Sequence, residues 1–192
     1  MSDDIHYGSR PEDEIRYGDH ISLKHNMTGR YLTSGENTYE SGSGQQVVFA
    51  GGWNPILEAT WIVIPPLESS KDSGENIYFG DVIRLKHVPS RCNLHSHEGF
   101  ESPVTGQQEV TCFGNDYESD PNDHWRVEKW EYEEDDEGDD VWRVGNSFIL
   151  RHVETGAKFH EESLDEDSNE VTGYQDEVDE NDRWRVLFEE AE

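Results

Sequence analysis

Residues Ile77–Leu94 read IYFGDVIRLKHVPSRCNL, and the pattern of this segment occurs at two other places in the chain. Residues Ile15–Leu32 read IRYGDHISLKHNMTGRYL, and residues Trp142–Phe159 read WRVGNSFILRHVETGAKF. In each segment a glycine precedes a histidine by seven residues, and an apolar residue follows that histidine by seven. Self-similarity at a fixed spacing is the signature of a repeat architecture. The chain of 192 residues therefore contains three copies of one unit.

Each repeat continues beyond this segment and contains a final strand-like segment that begins with tryptophan. The sequence GQQVV at 44–48 matches GQQEV at 106–110, whereas the third repeat keeps only EVT at 170–172. The closing segments are Trp61–Val63, Trp125–Val127 and Trp184–Val186. The repeats therefore occupy about residues 14–75, 76–139 and 140–189, after an N-terminal tail at 1–13.

The pattern inside a repeat is that of short β-strands. Ile21–Leu23 and Ile83–Leu85 alternate apolar and polar residues, which is typical of a strand with one buried face. Turn residues and three further strand segments follow in each unit, and sustained helical periodicity is missing. Closing such strands around a threefold axis hides most of their edges. We therefore predict an all-β fold, a β-trefoil of twelve strands in three pseudo-symmetric four-stranded repeats.

The charge is strongly negative and unevenly distributed. Residues 1–96 contain 8 Lys/Arg and 13 Asp/Glu, whereas residues 97–192 contain 7 and 31, so the second half carries −24 of the net −29. A field of this sign repels phosphate backbones and anionic membranes, which disfavours nucleic-acid binding. It either provides solubility or attracts cations or a basic partner. No apolar run approaches the ~18 residues of a membrane span, so we expect no membrane insertion.

The second repeat resembles a MIR repeat. The resemblance rests on Gly80–Val88, Leu94–His97, Ser102–Val104, Gly106–Gly114 and Asn122–Val127, and it extends over about residues 14–189. MIR repeats occur in protein O-mannosyltransferases, in stromal-cell-derived-factor-2-like proteins, and in inositol-trisphosphate and ryanodine receptors. The sequence is more similar to the first two groups, and that similarity implies a setting linked to glycosylation in the endoplasmic reticulum.

The chain departs from the repeat pattern at three places. Arg91 stands at a turn position where the other repeats have Gly29 and Gly156. Residues 160–170 replace the His-Ser-His and Gly-Gln-Gln elements with acidic residues, which puts a third binding site in doubt. The acidic segment Glu131–Asp140 is an insert between repeats, which we interpret as a solvated linker.

Polar residues that suit sugar recognition concentrate in the second repeat. Amides and imidazoles both donate and accept hydrogen bonds, and Phe100 or Trp125 supplies an aromatic surface beside them. The alternative is that single members such as His87, His95 and Gln107 satisfy buried turn backbone. The predicted ligand-binding residues are Arg84, His87, Asn93, His95, His97, Gln107, Gln108 and Asp123.

Catalytic and metal-binding motifs are missing from the sequence. It contains no Gly-x-Ser-x-Gly, no phosphate-binding glycine loop and no His-Glu-x-x-His, so we predict no catalytic residues and no cofactor. His95 and His97 have no nearby cysteine and no positioned third ligand, so we predict no metal site. Cys92 and Cys112 either form one bridge within the second repeat or remain two buried thiols.

These observations predict a monomeric, non-catalytic binding module that recognises a glycan or glycopeptide, mannose-related, through polar loops of the second repeat. The alternative is a protein-interaction adaptor of the stromal-factor-2-like kind, which would use its acidic surface for a protein partner linked to secretory-pathway chaperones or O-mannosylation. The chain has no visible signal peptide or retention signal. We expect a soluble protein, in the endoplasmic-reticulum lumen if the sequence is trimmed and otherwise in the cytoplasm.

Overall fold

The computed structural model describes residues 13–130, 139–163 and 168–188. Most of the N-terminal tail at 1–13 and of the insert Glu131–Asp140 lies outside the described residues. Within the described part of the chain, no helical segment has the length and apolarity that a bilayer crossing requires.

The described residues form twelve β-strands, which confirms the all-β prediction and the predicted strand number. Four strands fall in each of the three repeat ranges, and a short 3₁₀ helix precedes the last strand of each range. The helices are Leu57–Ala59, Pro121–Asp123 and Glu180–Asp182. The strands are β1 (His20–His25), β2 (Leu32–Thr38), β3 (Gln46–Ala50), β4 (Trp61–Ile64), β5 (Val82–His87), β6 (Asn93–Glu101), β7 (Gln108–Phe113), β8 (Trp125–Lys129), β9 (Phe148–His152), β10 (Lys158–Ser163), β11 (Asn169–Tyr174) and β12 (Trp184–Phe188).

Six of the strands close a ring. Strand β1 pairs with β4 and β12, β4 pairs with β5, β5 with β8, β8 with β9, and β9 with β12, all antiparallel. Each repeat contributes its first and last strand to this ring. A closed ring leaves no free edge among these strands, so their backbone groups are satisfied within the sheet.

The other six strands form three hairpins that meet one another. The hairpins are β2–β3, β6–β7 and β10–β11. Their second strands pair in a triangle, β3 with β7, β7 with β11, and β11 with β3. Residues on β3, β7 and β11 therefore contact the neighbouring repeat, and polar side chains at these contacts form hydrogen bonds between the repeats.

The three closing tryptophans lie at the centre of the core. Trp61, Trp125 and Trp184 are fully buried. Each indole Nε1 donates a hydrogen bond to the carbonyl of the apolar residue that follows the repeat histidine by seven, with distances of 3.1, 3.0 and 3.1 Å to Leu32, Leu94 and Phe159. A buried indole N–H needs such a partner, and the sequence spacing supplies the same one three times.

The second repeat carries two local features that distinguish it. Cys92 and Cys112 form a disulfide between the start of β6 and the end of β7, with 5.4 Å between their Cα atoms. Arg91 adopts φ of 62°, next to 74° at Gly29 and 77° at Gly156, so the arginine takes the left-handed turn conformation that the glycines take in the other repeats. Its guanidinium binds Asp116 at 2.9 Å.

Candidate functional site

The repeat histidines His25, His87 and His152 are structural residues that join neighbouring parts of the fold. All three are buried. Each Nδ1 bonds to the hydroxyl three residues later, that of Thr28, Ser90 and Thr155, at 3.0, 2.6 and 2.8 Å. Each Nε2 bonds to the backbone carbonyl of Asn181, Glu58 and Asn122, at 3.0, 2.8 and 2.8 Å. Both nitrogens of His87 are thus engaged inside the protein, so a contact with a ligand would require these bonds to break.

The same turn hydroxyls form hydrogen bonds with side chains of the three hairpins: those of Ser90 and Thr155 accept, and that of Thr28 donates. Gln108 Nε2 donates to Thr155 Oγ1 at 3.0 Å and to Ser96 Oγ at 2.7 Å. Gln46 Nε2 makes the equivalent bonds to Ser90 and Ser34 at 3.0 and 2.9 Å. In the third set Glu161 takes the serine position, and it binds Thr28 Oγ1 and Asn169 Nδ2 at 2.9 and 2.7 Å. The predicted residue Gln108 therefore links the second repeat to the third.

A buried histidine–aspartate pair lies at the base of the candidate site in the second repeat. His95 Nδ1 and Asp123 Oδ1 are 2.7 Å apart, and both side chains are almost fully buried. Asp123 Oδ2 accepts bonds from Ser119 Oγ at 2.6 Å and from the Asp120 amide at 3.1 Å. Asp120 and Asp123 form a capping box on the 3₁₀ helix, which explains why two acids stand at this spacing.

Aromatic rings surround this pair on its outer side. The His95 ring lies 4.9 Å from Phe113 and 5.0 Å from His97, and His97 lies 4.5 Å from Phe100. His97, Phe100 and Phe113 are half-buried, so the cluster reaches the surface. Burial lowers the pKa of His97, and the neighbouring His95 lowers it further. A neutral imidazole keeps both a donor and an acceptor nitrogen, which is the combination that a hydroxyl-rich ligand can use.

The third repeat contains the same pair, although the acidic residues at 160–170 did not indicate it. His160 Nδ1 and Asp182 Oδ1 are 2.7 Å apart, and the His160 ring stacks on Tyr174 at 4.2 Å. Glu162 Oε1 accepts a bond from His160 Nε2 at 2.8 Å. The expectation that acidic residues overwrite this chemistry is therefore wrong for the histidine–aspartate pair. Two signals were available, a histidine directly after Phe159 and the sequence Asn-Asp before Arg183 and Trp184.

The remaining predicted residues have different surroundings. Half-buried Arg84 donates to Pro65 O at 2.7 Å and to Ser119 Oγ at 2.9 Å, so it belongs to the same bonded group as Asp123. Asn93 is fully buried, and its amide has no hydrogen-bond partner among the described residues. Gln107 Oε1 accepts a bond from Thr172 in the third repeat. The structure thus brings Arg84, His95, His97 and Asp123 together, while Gln107 and Gln108 face the neighbouring repeat.

Two clusters have the residue types of a metal site. The ligand atoms of His95, Asp120 and Asp123 lie within 4.8 Å of one another, as do those of His160, Asp179 and Asp182. These carboxylates already accept bonds from backbone amides of the helix caps. Their geometry is therefore explained by capping and by the histidine hydrogen bonds. A third group contains His87, but its two cysteines form the disulfide.

The pKa values of the buried histidines should shift in opposite directions from the ordinary value for histidine. Burial lowers the pKa of His87 and of His152 below 6.5. Burial acts in the same direction on His160, but its bonds to Asp182 and Glu162 outweigh it and raise the pKa above 6.5. His160 therefore contributes stability that is fully present below pH 6.5 and is lost as the pH rises through its folded pKa. His87 and His152 contribute stability that is present above pH 6.5 and is lost as the pH falls through their folded pKa values.

An NMR titration of the imidazole C–H resonances tests this expectation. We expect His160 to remain protonated at a pH where His87 and His152 are already neutral, and the unfolded chain in urea gives the reference titration. A His160 midpoint below that of His87 would contradict the interpretation.

The matching family, a relative of similar sequence and a solved structure all indicate the same protein family. The family described as "MIR domain" matches residues 56–183. The chain is 36% identical over 168 residues to the stromal cell-derived factor 2-like protein of Arabidopsis thaliana, covering 86% of this chain and 72% of that protein. The crystal structure of the SDF2-like protein from Arabidopsis thaliana superposes with a TM-score of 0.83 at 32% identity, covering 91% of this chain and 94% of that one.

A second similar structure belongs to an enzyme complex. The S. cerevisiae protein O-mannosyltransferase Pmt1-Pmt2 complex bound to the sugar donor matches with a TM-score of 0.81 at 27% identity. The match covers 91% of this chain but 25% of that chain. The chain is therefore similar to one part of a much longer protein.

Proposed function

Because this chain belongs to the MIR-domain family, we propose that it is a non-catalytic β-trefoil module that recognises a glycan or glycopeptide through polar loops of its second repeat. The threefold recurrence of the histidine, tryptophan and hairpin contacts supports the trefoil arrangement. The disulfide Cys92–Cys112 supports an oxidising compartment such as the endoplasmic-reticulum lumen.

The observation that carries this proposal is the polar and aromatic cluster around the His95–Asp123 pair. Half-buried His97, Phe100 and Phe113 lie around the buried pair, and Asp120 Oδ1 is 3.8 Å from His95 Nδ1. The buried bonds hold the His95 ring in a fixed position and leave the outer residues to contact a ligand. A sugar presents hydroxyls on its edge and C–H groups on its face, which match carboxylate and imidazole groups beside an aromatic ring.

Titration of the ¹⁵N-labelled protein with methyl α-mannoside and with a mannosylated peptide tests the proposal. We expect saturable amide shifts at His97 and Phe100, with weaker shifts around Tyr174 in the third repeat. His97→Ala should weaken binding by about three- to tenfold, because one hydrogen bond contributes about 0.5–1.5 kcal/mol. His20→Ala, which removes an exposed histidine of the first repeat, is the matched control and should leave the affinity unchanged.

Two results would overturn glycan recognition at this site. One is the absence of shifts at millimolar concentrations of both ligands. The other is binding that His97→Ala and His20→Ala affect equally, since the site would then lie elsewhere on the surface.

A protein-interaction adaptor is the second candidate function, and two observations favour it. The net charge of −29 provides long-range attraction for a basic partner. Four large apolar side chains of the first repeat are exposed, and the indole of one of them, Trp53, donates to Thr28 O next to Met27. They are Met27, Trp53, Ile56 and Leu57. A partner that is captured at low salt and lost at high salt would support charge-based contact.

A further inference from the structure

A cleft of about 410 Å³ is lined by residues of all three repeats, and the residues that line it are different from those of the His95–Asp123 cluster. Its walls include Tyr39 and Phe49 of the first repeat, Val104 of the second and Glu170 of the third. Strand β11 places Glu170 directly opposite Phe49 on β3. The volume lies at the lower end of the range of small-ligand pockets, about 300–1,000 Å³, and is enough for one long side chain.

Glu170 is an unusual residue for the wall of such a cleft. Glu170 is 8% exposed, and its Oε2 atom has no hydrogen-bond partner among the described residues. Bonds from Thr105 hold the carboxyl group, but burial outweighs them and raises the pKa of Glu170. Glu162, directly opposite on β10, raises it further. A buried carboxylate oxygen without a partner is costly and needs an explanation.

The pseudo-equivalent glutamate of the second repeat provides an internal comparison. Glu109 occupies the same repeat position as Glu170 and also has an unpartnered Oε2. Ser43 donates a hydrogen bond to Oε1 of Glu109. Gly42 lies so close to Oε2 of Glu109 that a Cβ atom at position 42 would collide with it. Glu109 is 1% exposed and is closed off, whereas Glu170 lines an open cleft. Glu170 therefore forms part of the wall of this cleft, whereas Glu109 does not line it.

The surroundings of Glu170 favour a cation. A positive group would offset the cost of burying the Glu170 carboxylate, and aromatic residues such as Tyr39 and Phe49 on the cleft wall attract cations and pack against an aliphatic stem. The net charge of −29 adds long-range attraction of the same sign. We propose that this cleft binds an arginine or lysine side chain of a partner polypeptide, with Glu170 as its counter-ion.

Titration of the ¹⁵N-labelled full chain with blocked tripeptides at physiological ionic strength tests this site. The probes are acetyl-Gly-Arg-Gly-amide, its lysine analogue, and its citrulline analogue, which keeps the shape of arginine without the charge. We expect saturable shifts at the amides of Tyr39, Phe49 and Glu170 with the basic peptides and none with citrulline. Comparison of the arginine and lysine peptides shows which cation the cleft prefers.

Two glutamate variants separate this site from the overall negative charge. Glu170→Gln and Glu109→Gln each remove one carboxylate from equivalent positions. Glu170→Gln should weaken binding of the arginine peptide at least about thirtyfold, because loss of one member of a desolvated charge pair costs about 2 kcal/mol or more. Glu109→Gln should leave the affinity unchanged. The exposed variant Val104→Arg, which places a guanidinium at the cleft, should weaken binding without affecting folding.

The outcomes are distinct from those of the glycan test because the site, probes and variants differ. Equal weakening by both glutamine variants would show attraction to bulk charge only and would overturn the proposal. So would binding of the citrulline peptide, mannoside shifts confined to this cleft, or shifts elsewhere on the surface.

Discussion

Trp125→Ala should lower the free energy of unfolding by about 3–5 kcal/mol, the range for removal of a large buried aromatic side chain. Trp125 is fully buried, and its ring lies 4.8 Å from His152 and 5.8 Å from Phe159. Its Nε1 donates to Leu94 O at 3.0 Å. The substitution therefore removes packing between the second and third repeats and leaves a buried carbonyl without its indole donor.

Trp53→Ala is the matched control. Trp53 is 60% exposed, although it contacts the Arg30 guanidinium at 4.2 Å and donates to Thr28 O at 3.1 Å. Loss of the cation–π contact with the buried Arg30 and of one exposed hydrogen bond should cost about 1–2 kcal/mol, which is less than the loss expected at Trp125. Urea unfolding followed by circular dichroism measures both variants. Equal losses would show that Trp125 does not have the central packing role that its burial implies.

Asp123→Ala should also destabilise the protein by about 3–5 kcal/mol. The carboxylate is fully buried and accepts bonds from Ser119 Oγ at 2.6 Å and the Asp120 amide at 3.1 Å, in addition to its 2.7 Å contact with His95. Each buried polar group left without a partner costs about 1–3 kcal/mol, and breaking a buried pair from one side costs about 3–5 kcal/mol. The helix cap at Pro121–Asp123 is lost as well.

Asp116→Ala removes an aspartate that forms ion pairs at the surface. Asp116 pairs with Arg91 at 2.9 Å and with Lys86 at 3.3 Å, and its side chain is 42% exposed. The exposed pair with Arg91 contributes about 0–1 kcal/mol. Buried Lys86 keeps its hydrogen bonds to the carbonyls of Arg91 and Asn115, so the variant should lose much less stability than Asp123→Ala. If Asp123→Ala were as mild as Asp116→Ala, the His95–Asp123 pair would not be the rigid base of the candidate site.

Local pattern was sufficient to predict the repeat and the strands. The alternation in Ile21–Leu23 and Ile83–Leu85 has the period of a half-buried strand, and both segments form ring strands. Leu32, Leu94 and Phe159, which recur at the seven-residue spacing, are buried in one core with the closing tryptophans. These results follow from periodicity, which is a property of neighbouring residues along the chain.

The polar residues were harder to interpret, because their roles depend on contacts that are distant in sequence. His87 and Gln108 look like ligand groups in the sequence, yet their bonds run to Glu58 in the first repeat and to Thr155 in the third. The acidic residues around His160 made its role difficult to recognise from the sequence, and its hydrogen-bond partner Asp182 lies 22 residues away. The sequence also left the pairing of Cys92 and Cys112 open, and the meeting of β6 and β7 decides it.

Periodicity along the chain was therefore enough to predict an all-β protein with twelve strands in three repeats. The availability of the polar side chains depends instead on contacts between repeats. Glu109 and Glu170 occupy the same position in successive repeats, and no local rule separates them. The turn at Gly42 closes over one, whereas the other lines a cleft between repeats. The accessibility of a carboxylate depends on which segment of another repeat packs over it, and a periodic sequence does not encode that contact locally.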